Sequence, residues 1–322
     1  MEINFANVFT YQLIHATLRS SAPIVMAVVA AIISRHADVF NLAIEGIMLF
    51  AALISIIVSV ATGSWVLALL AAVGLGMFIS MLIGLAHLKL SANILILGFS
   101  VNAIALGGTR LIMQRMFGLV GSYAPSNVTP FPRLRIPAFN DFPVLKSIFA
   151  DYSLMEILSF VLIFLLWVVL YKTKTGLRLR SVGLNEIAAR TAGINTYRVK
   201  LTAIIVSGIF AGMAGAHLSI GYTNMFAEGM TNGRGFMANA AMNFGGGNPI
   251  NALLGCLVFG FAESLGARLQ SYNFPNQFVL MLPYIVTVVI LTISMVRQQS
   301  AAKSEKLKKL KEHNESGTGP AG

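Results

Sequence analysis

FNLAIEGIMLFAALISIIVSVA, residues 40–61, is apolar enough for a membrane-crossing helix, yet it places Asn41 and Glu45 at its opening. A hydrocarbon core of about 30 Å needs roughly 20 apolar residues per helical crossing. A carboxylate inside that layer is expensive unless it meets a cavity, a partner or a helix end. The stretch therefore says two things: the chain is built from spanning helices, and at least one of them carries polar groups for a reason. Its neighbours repeat the apolar pattern, from Trp65 to His87, Asn93 to Met113 and Leu154 to Tyr171. Long runs of Leu, Ile, Val, Ala and Gly with no period of two favour a helical bundle over a transmembrane barrel.

Composition agrees. Of 322 residues, 56% are hydrophobic and 11% charged, and the mean hydropathy of +0.76 is far above what a soluble fold requires. The expected fold is an all-α integral membrane protein, a polytopic bundle of about 8–10 transmembrane helices. The opening MEINFANVFT has no basic residue before its first apolar run, so no removable signal peptide is expected.

The net charge of +11 would suggest nucleic acid in a soluble protein, but here the basic residues gather at segment ends and act as topology signals, with no nucleic-acid partner expected. Residues 172–199, with Lys200 just beyond, hold Lys172, Lys174, Arg178, Arg180, Arg190 and Arg198 against Glu186 alone, and the tail 300–322 is also lysine-rich. Both are expected in the cytoplasm, the tail as a disordered, lipid-headgroup-facing end of the membrane-spanning region 1–299. Residues 114–152 mix Arg115, Arg133, Arg135 and Lys146 with Asp141, Asp151 and five prolines, and read as an ordered external loop. Working backward from that loop, spans near 91–113, 65–87, 42–61 and 20–34 alternate in direction, with residues 3–16 left ambiguous. Working forward, an even number of crossings must join the cytoplasmic loop to the tail, yet only 200–220, 250–269 and 276–296 are full length. The missing crossing falls on GRGFMANAAMNFGGG, residues 233–247, too short and glycine-rich for a lipid-exposed span. A broken or re-entrant helix inside the bundle is predicted there. Gly208 and Gly212, with Ala211 and Gly215 beside them, predict close helix packing.

Several chemistries lack support. No phosphate-binding loop of the Gly-x-x-x-x-Gly-Lys-Ser/Thr type occurs, so ATP hydrolysis needs a partner. The five histidines show no paired ligand spacing, so no metal or other cofactor is expected, and Cys256 reads as a small core residue. Ser207 and His217 lie about 15 Å apart along one helix, too far for a nucleophile and its base.

Glu45, Arg110, Arg234 and Glu263 are the charges in or at the edge of spans. Glu45 fits either a helix start stabilised by the dipole or the wall of a solute route, and Glu263 is expected to pair with Arg268 near a surface. Asn93, Asn102, Asn239 and Asn243 add neutral amides. Such a set suits an uncharged polar solute better than an ion, and Asn41, Glu45, Asn102, Arg110, Arg234, Asn239 and Asn243 are the candidate pathway residues.

GLRLRSVGLNEIAARTAGINTYRV, residues 176–199, resembles the coupling segment of ABC-importer permeases of the branched-chain amino acid, simple sugar and nucleoside superfamily. Residues 40–52, 101–113 and 228–265 are similar, in order, to that family's Asn-x-x-x-Glu-Gly start of the second span, its fourth span and its long half-buried segment. One departure is the run Gly245, Gly246, Gly247, Asn248 and Pro249, where relatives commonly carry a bulky or basic residue and Trp, giving this chain a more flexible turn. The resemblance implies a permease subunit in a bacterial cytoplasmic membrane. It implies a cytoplasmic ATPase subunit, a second permease subunit in a heterodimer, and an extracytoplasmic solute-binding lipoprotein as partners. It fits the nucleoside branch best, with ribose and galactose permeases as the close alternative. A proton-coupled secondary transporter using Glu45 or Glu263 is the rival from another class. The coupling segment also reads as a docking helix on its own chemistry. Asn185 caps it, Glu186 sits in its first turn, Ala188 and Ala189 give a small face, and Gly193, followed by Ile194, terminates it.

Overall fold

Helix α1 (Tyr11–His36) is the axis of the bundle, buried along most of its length despite Pro23. In the computed structural model the described residues are 11–134, 151–270 and the single positions 281, 285, 288, 289 and 292. After α1 come α2 (Ile44–Thr62), α3 (Trp65–Leu90) and α4 (Ile94–Phe117). The chain continues with α5 (Leu154–Lys172), α6 (Lys174–Leu184), α7 (Glu186–Thr191), α8 (Thr196–Ala216), α9 (Arg234–Phe244) and α10 (Pro249–Gln270). Among the described residues seven helices are long and apolar enough to cross a membrane: α1 to α5, α8 with its extension to Thr223, and α10. The chain is an all-α polytopic membrane protein. The span expected at 276–296 and the tail 300–322 lie largely or wholly outside the described residues. Residues 11–16 are the first turns of α1, so that part of the ambiguous 3–16 segment is not a separate crossing.

Helix α1 packs against α5, α8, α9 and α10, while α8 also packs on α2 and α3, and α2 on α3 and α4. The two small-residue stripes of α8 serve different neighbours. A Cβ on Gly212 would lie 2.6 Å from the Ala72 carbonyl of α3, whereas one on Gly215 would run into the Met48 carbonyl of α2. Backbones approach this closely only without side chains between them. The outer surfaces of α3, α4 and α5 carry exposed Leu70, Phe78, Phe99, Ile104 and Phe164, as lipid-facing helices do.

Polar ends sort onto two faces. Lys200 lies 3.8 Å from Asp38 and 2.7 Å from Glu186, bringing the end of α1, α7 and the start of α8 together on a basic face. At the opposite face β1 (Ser122–Tyr123) pairs antiparallel with β4 (Phe226–Ala227), and β2 (Arg133–Leu134) with β3 (Tyr152–Ser153). The loop expected at 114–152 is thus ordered where it is described, although α4 continues through Phe117 before it begins.

The segment 233–247 is a half-helix, as its glycines predicted. Helix α8 passes into a π-helical stretch, His217–Thr223, and reaches the β1–β4 face. The chain then turns back, starts α9 after left-handed Gly233, and ends it near His36 on the basic face. Gly246 (φ 59°) and Gly247 (φ 78°) make the tight joint to α10. Their run, read as flexible from sequence, is a defined turn whose left-handed backbone selects glycine.

Candidate functional site

The connection between α1 and α2 does not stay at the membrane surface. Asn41 Nδ2 donates to Ser207 Oγ at 3.0 Å, and Ser207 lies about 16 Å along α8 from its start. Residues 37–43 therefore climb from the basic face into the bundle, and α2 begins at depth. A helix starting there has backbone N–H groups with no water to meet. Side chains supply the acceptors: Asn41 Oδ1 takes the Ala43 N–H at 3.0 Å, and Asn102 Oδ1 of α4 takes the Gly46 N–H at 2.8 Å. Asn102 Nδ2 also donates to the Leu42 carbonyl at 3.0 Å. Two of the asparagines predicted to line a route, Asn41 and Asn102, thus serve first of all as acceptors at a buried helix start.

Glu45 does the same for the other broken helix. Its carboxylate accepts the N–H of Gly233 at 2.8 Å and of Gly235 at 2.6 Å, the donors at the start of α9. Two helix N-termini thus face each other inside the membrane with one carboxylate between them, which their partial positive charges favour. Gly235 permits the contact, because a Cβ there would stand 2.7 Å from the Glu45 Cα.

A cavity of about 560 Å³ opens beside this junction, lined by Glu45, Asn102 and Asn232 on its polar side and by Leu106, Phe236 and Met237 elsewhere. That volume is in the range of small-molecule sites. The sequence reading missed Asn232 and Phe236, although the Asn232-Gly233 pair is a turn signal at the mouth of a half-helix. The other candidates fall elsewhere. Arg110 is largely exposed and lies 3.7 Å from Glu228, toward the β1–β4 end. Arg234 is buried behind the start of α9, where it pairs with Glu263 of α10 and donates to the Met230 carbonyl at 2.8 Å. Glu263 was expected to pair with Arg268. Instead Arg268 donates to Gln12 at 3.0 Å, because residues five apart on a helix do not share a face. Asn239 is buried and donates back to the Gly235 carbonyl at 3.2 Å, while Asn243 lines a separate cavity at the basic face.

The second candidate region is α7. Asn185 Oδ1 accepts the Ala188 N–H at 3.0 Å as the N-cap, and Gly193 (φ 81°) closes the helix, with the Ile194 N–H returning to the Ala189 carbonyl at 3.0 Å. Glu186 is held by Lys200 Nζ at 2.7 Å, Arg190 at 3.0 Å and the Thr196 hydroxyl at 3.1 Å. The Lys200 bond, chiefly, draws its carboxyl below the ordinary carboxylate range. Ala189 faces inward at 4% exposure. The outward apolar residues are Leu184 at 87% and Ile187 at 78%, neither singled out from sequence. A six-residue helix is too short for periodicity to say which side packs.

Comparison with known proteins places these features in context. The sequence matches the family described as "Branched-chain amino acid transport system / permease component" over residues 13–291. It is 35% identical over 292 residues, 87% of this chain and 91% of the relative, to the Guanosine ABC transporter permease protein NupQ of Bacillus subtilis. It is 32% identical to the Nucleoside ABC transporter permease protein NupC of Lactococcus lactis, across 88% of this chain and 92% of that one. The Putative glucose ABC transporter permease protein TsgC13 of Haloferax volcanii is 27% identical across 91% and 94%. No solved structure matches the chain.

Proposed function

Because the chain belongs to the branched-chain amino acid transport system permease family, we propose that it is the membrane subunit of an ATP-driven importer whose solute is a nucleoside. The observation that carries the reading is the similarity to NupQ and NupC along nearly the full length of both chains, since each of those is named for guanosine or nucleoside transport. The cavity beside Glu45 supports it: carboxylate and carboxamide groups on one wall and the Phe236 ring on another suit a solute that is polar at its edge and flat on its face.

In this reading ATP is hydrolysed by a separate cytoplasmic subunit that docks on Leu184 at the end of α6 and Ile187 of α7. A second permease chain completes a heterodimer, and a lipoprotein delivers solute at the β1–β4 face of a bacterial cytoplasmic membrane. Motion of α7 reaches α1 and α8 through Lys200, which joins Glu186 to Asp38. From there it reaches the segment 37–43 that positions Asn41 and Glu45.

The TsgC13 similarity favours one alternative, a sugar as solute. The separating experiment is uptake of labelled guanosine into cells that depend on this transporter, competed with unlabelled nucleosides, ribose and glucose. Competition by nucleosides alone is expected; competition by a monosaccharide alone moves the assignment to sugars. Uptake driven by a pH gradient without ATP in vesicles holding only this chain would refute the importer reading.

A further inference from the structure

At the basic face, away from the Glu45 junction, a second cavity of about 500 Å³ lies between the end of α1, the end of α6 and the α9–α10 turn. Its walls include Arg35, His36, Tyr171, Arg180, Asn243 and Gly247. The charges are of one sign. Among the described residues neither Arg35 nor Arg180 has an ion-pair partner, while Asp38 and Glu186, the acids of this face, are turned to Lys200.

Arg180 and His36 are built in rather than loosely displayed, whereas Arg35 is exposed. The Arg180 guanidinium lies over the Tyr171 ring, with Cζ 4.8 Å from the ring centroid. Its Nε and the Nε2 of His36 are both shut off from solvent with no hydrogen-bond partner. Buried polar atoms without partners are uncommon and call for a water, an ion or another polar group near them. Backbone close approaches shape the pocket as well. A Cβ on Gly183 would run into the His36 carbonyl, and one on left-handed Gly247 would stand 3.1 Å from the His36 ring.

We propose that this cavity binds a phosphate group. A planar, oriented guanidinium with a second Arg beside it matches the oxygens of a phosphate, which takes charge-assisted hydrogen bonds from several donors at once. Two sources carry that chemistry at this face: the headgroup of an anionic phospholipid, drawn to basic pockets between helices, and a soluble phosphate ester or pyrophosphate. The bound group would touch α1, α6 and the α9–α10 turn, the three elements whose residues line the cavity.

The test uses the full chain with Arg180→Gln and Arg35→Gln, and Arg198→Gln as a control on the same face. In one arm the chain is reconstituted with equal phosphatidylglycerol and phosphatidylcholine, and retained lipids are counted by native mass spectrometry. In the other arm the thermal midpoint in neutral detergent is followed against pyrophosphate at constant ionic strength. Preferential, saturable binding is expected in one arm, naming the source, with Arg180→Gln weakening it about tenfold, the factor for one charge-assisted hydrogen bond. Arg35→Gln should act in the same direction, and because Arg35 is exposed on the last turn of α1 that variant guards against a folding failure of the first. Binding in neither arm, or equal loss in Arg198→Gln, overturns the site. Unaltered binding with lost ATPase-subunit co-purification also overturns it, assigning the arginines to protein docking.

Discussion

Replacing Glu45 with Gln tests the junction of the two broken helices most directly. The carboxylate accepts two N–H groups of the α9 start, from Gly233 and Gly235. A carboxamide offers one oxygen for those two donors and sets its own N–H₂ against the other. The variant thus loses one hydrogen bond to a charged acceptor, worth about 1.5–3 kcal/mol, and leaves a helix-start donor unsatisfied. It also removes the negative charge from two facing helix N-termini, about 0.3–1 kcal/mol each where exposure is appreciable. Glu45 lines a cavity and is only partly buried, so the lower part of the sum applies, about 2–3 kcal/mol. The assay is thermal unfolding of the purified chain in mild detergent alongside uptake and protein level in membranes. A lower midpoint and reduced protein level together with lost uptake are expected. An unchanged midpoint and protein level with abolished uptake would refute the capping argument and leave Glu45 as a wall residue that only the solute meets.

Gly235→Ala should act on the same junction by overlap, since its Cβ would meet Glu45 backbone 2.6–2.7 Å away and backbone cannot swing aside; a loss of about 1–3 kcal/mol is expected in the same unfolding assay. Glu263→Gln strands the buried Arg234 charge and should cost about 3 kcal/mol, while the double variant Arg234→Met/Glu263→Met should recover much of it; a double variant worse than either single one contradicts the pairing. Ile187→Asp should leave insertion and thermal midpoint unchanged yet sharply reduce uptake and ATPase-subunit co-purification, and Gly193→Trp should do likewise through α7's shape. The lowered Glu186 pKa means its contribution to α7 is present at neutral pH and is lost as pH falls through the folded-state value, below the ordinary carboxylate range. Amide hydrogen exchange in α7 should therefore gain protection loss on acidification in the parent chain, with a flatter profile in Glu186→Gln.

Much of the architecture was legible because membrane helices announce themselves by length and polarity. The spans, the half-helix at 233–247 and the capped helix after Asn185 follow from apolar runs, a parity argument and cap chemistry. Depth was not legible. Asn41 and Glu45 would read the same at a helix start on the membrane surface as at one buried in the bundle, and what distinguishes them is Gly233, 188 residues away. The mispairing of Glu263 has a similar origin: Arg268 is near in sequence but on another side of α10, whereas Arg234 arrives through a re-entrant turn. Asn102 stands out in the sequence as a polar group in an apolar span, but its residue type does not tell a cap from a cavity wall; it accepts the Gly46 N–H and also borders the cavity.

Charge balance around the junction bears on what could pass it. Glu45 is offset by two helix N-termini, Arg234 by Glu263, and Arg110 by Glu228. Each charge that seemed available to a solute is matched within the protein, so the cavity presents dipoles and an aromatic face rather than a net field. A permeating ion would have to shed its hydration against walls with no free opposite charge, a large cost at this depth. In the proposed reading, an uncharged solute would exchange water hydrogen bonds for those of the polar groups lining this cavity, Asn102, Asn232 and Glu45, and incur no such cost. This balance is what a neutral polar solute would meet in the proposed importer reading. It also explains why the carboxylate occupies a helix junction: there its charge holds two half-helices in place and is largely spent on them, leaving a wall that is polar but close to neutral.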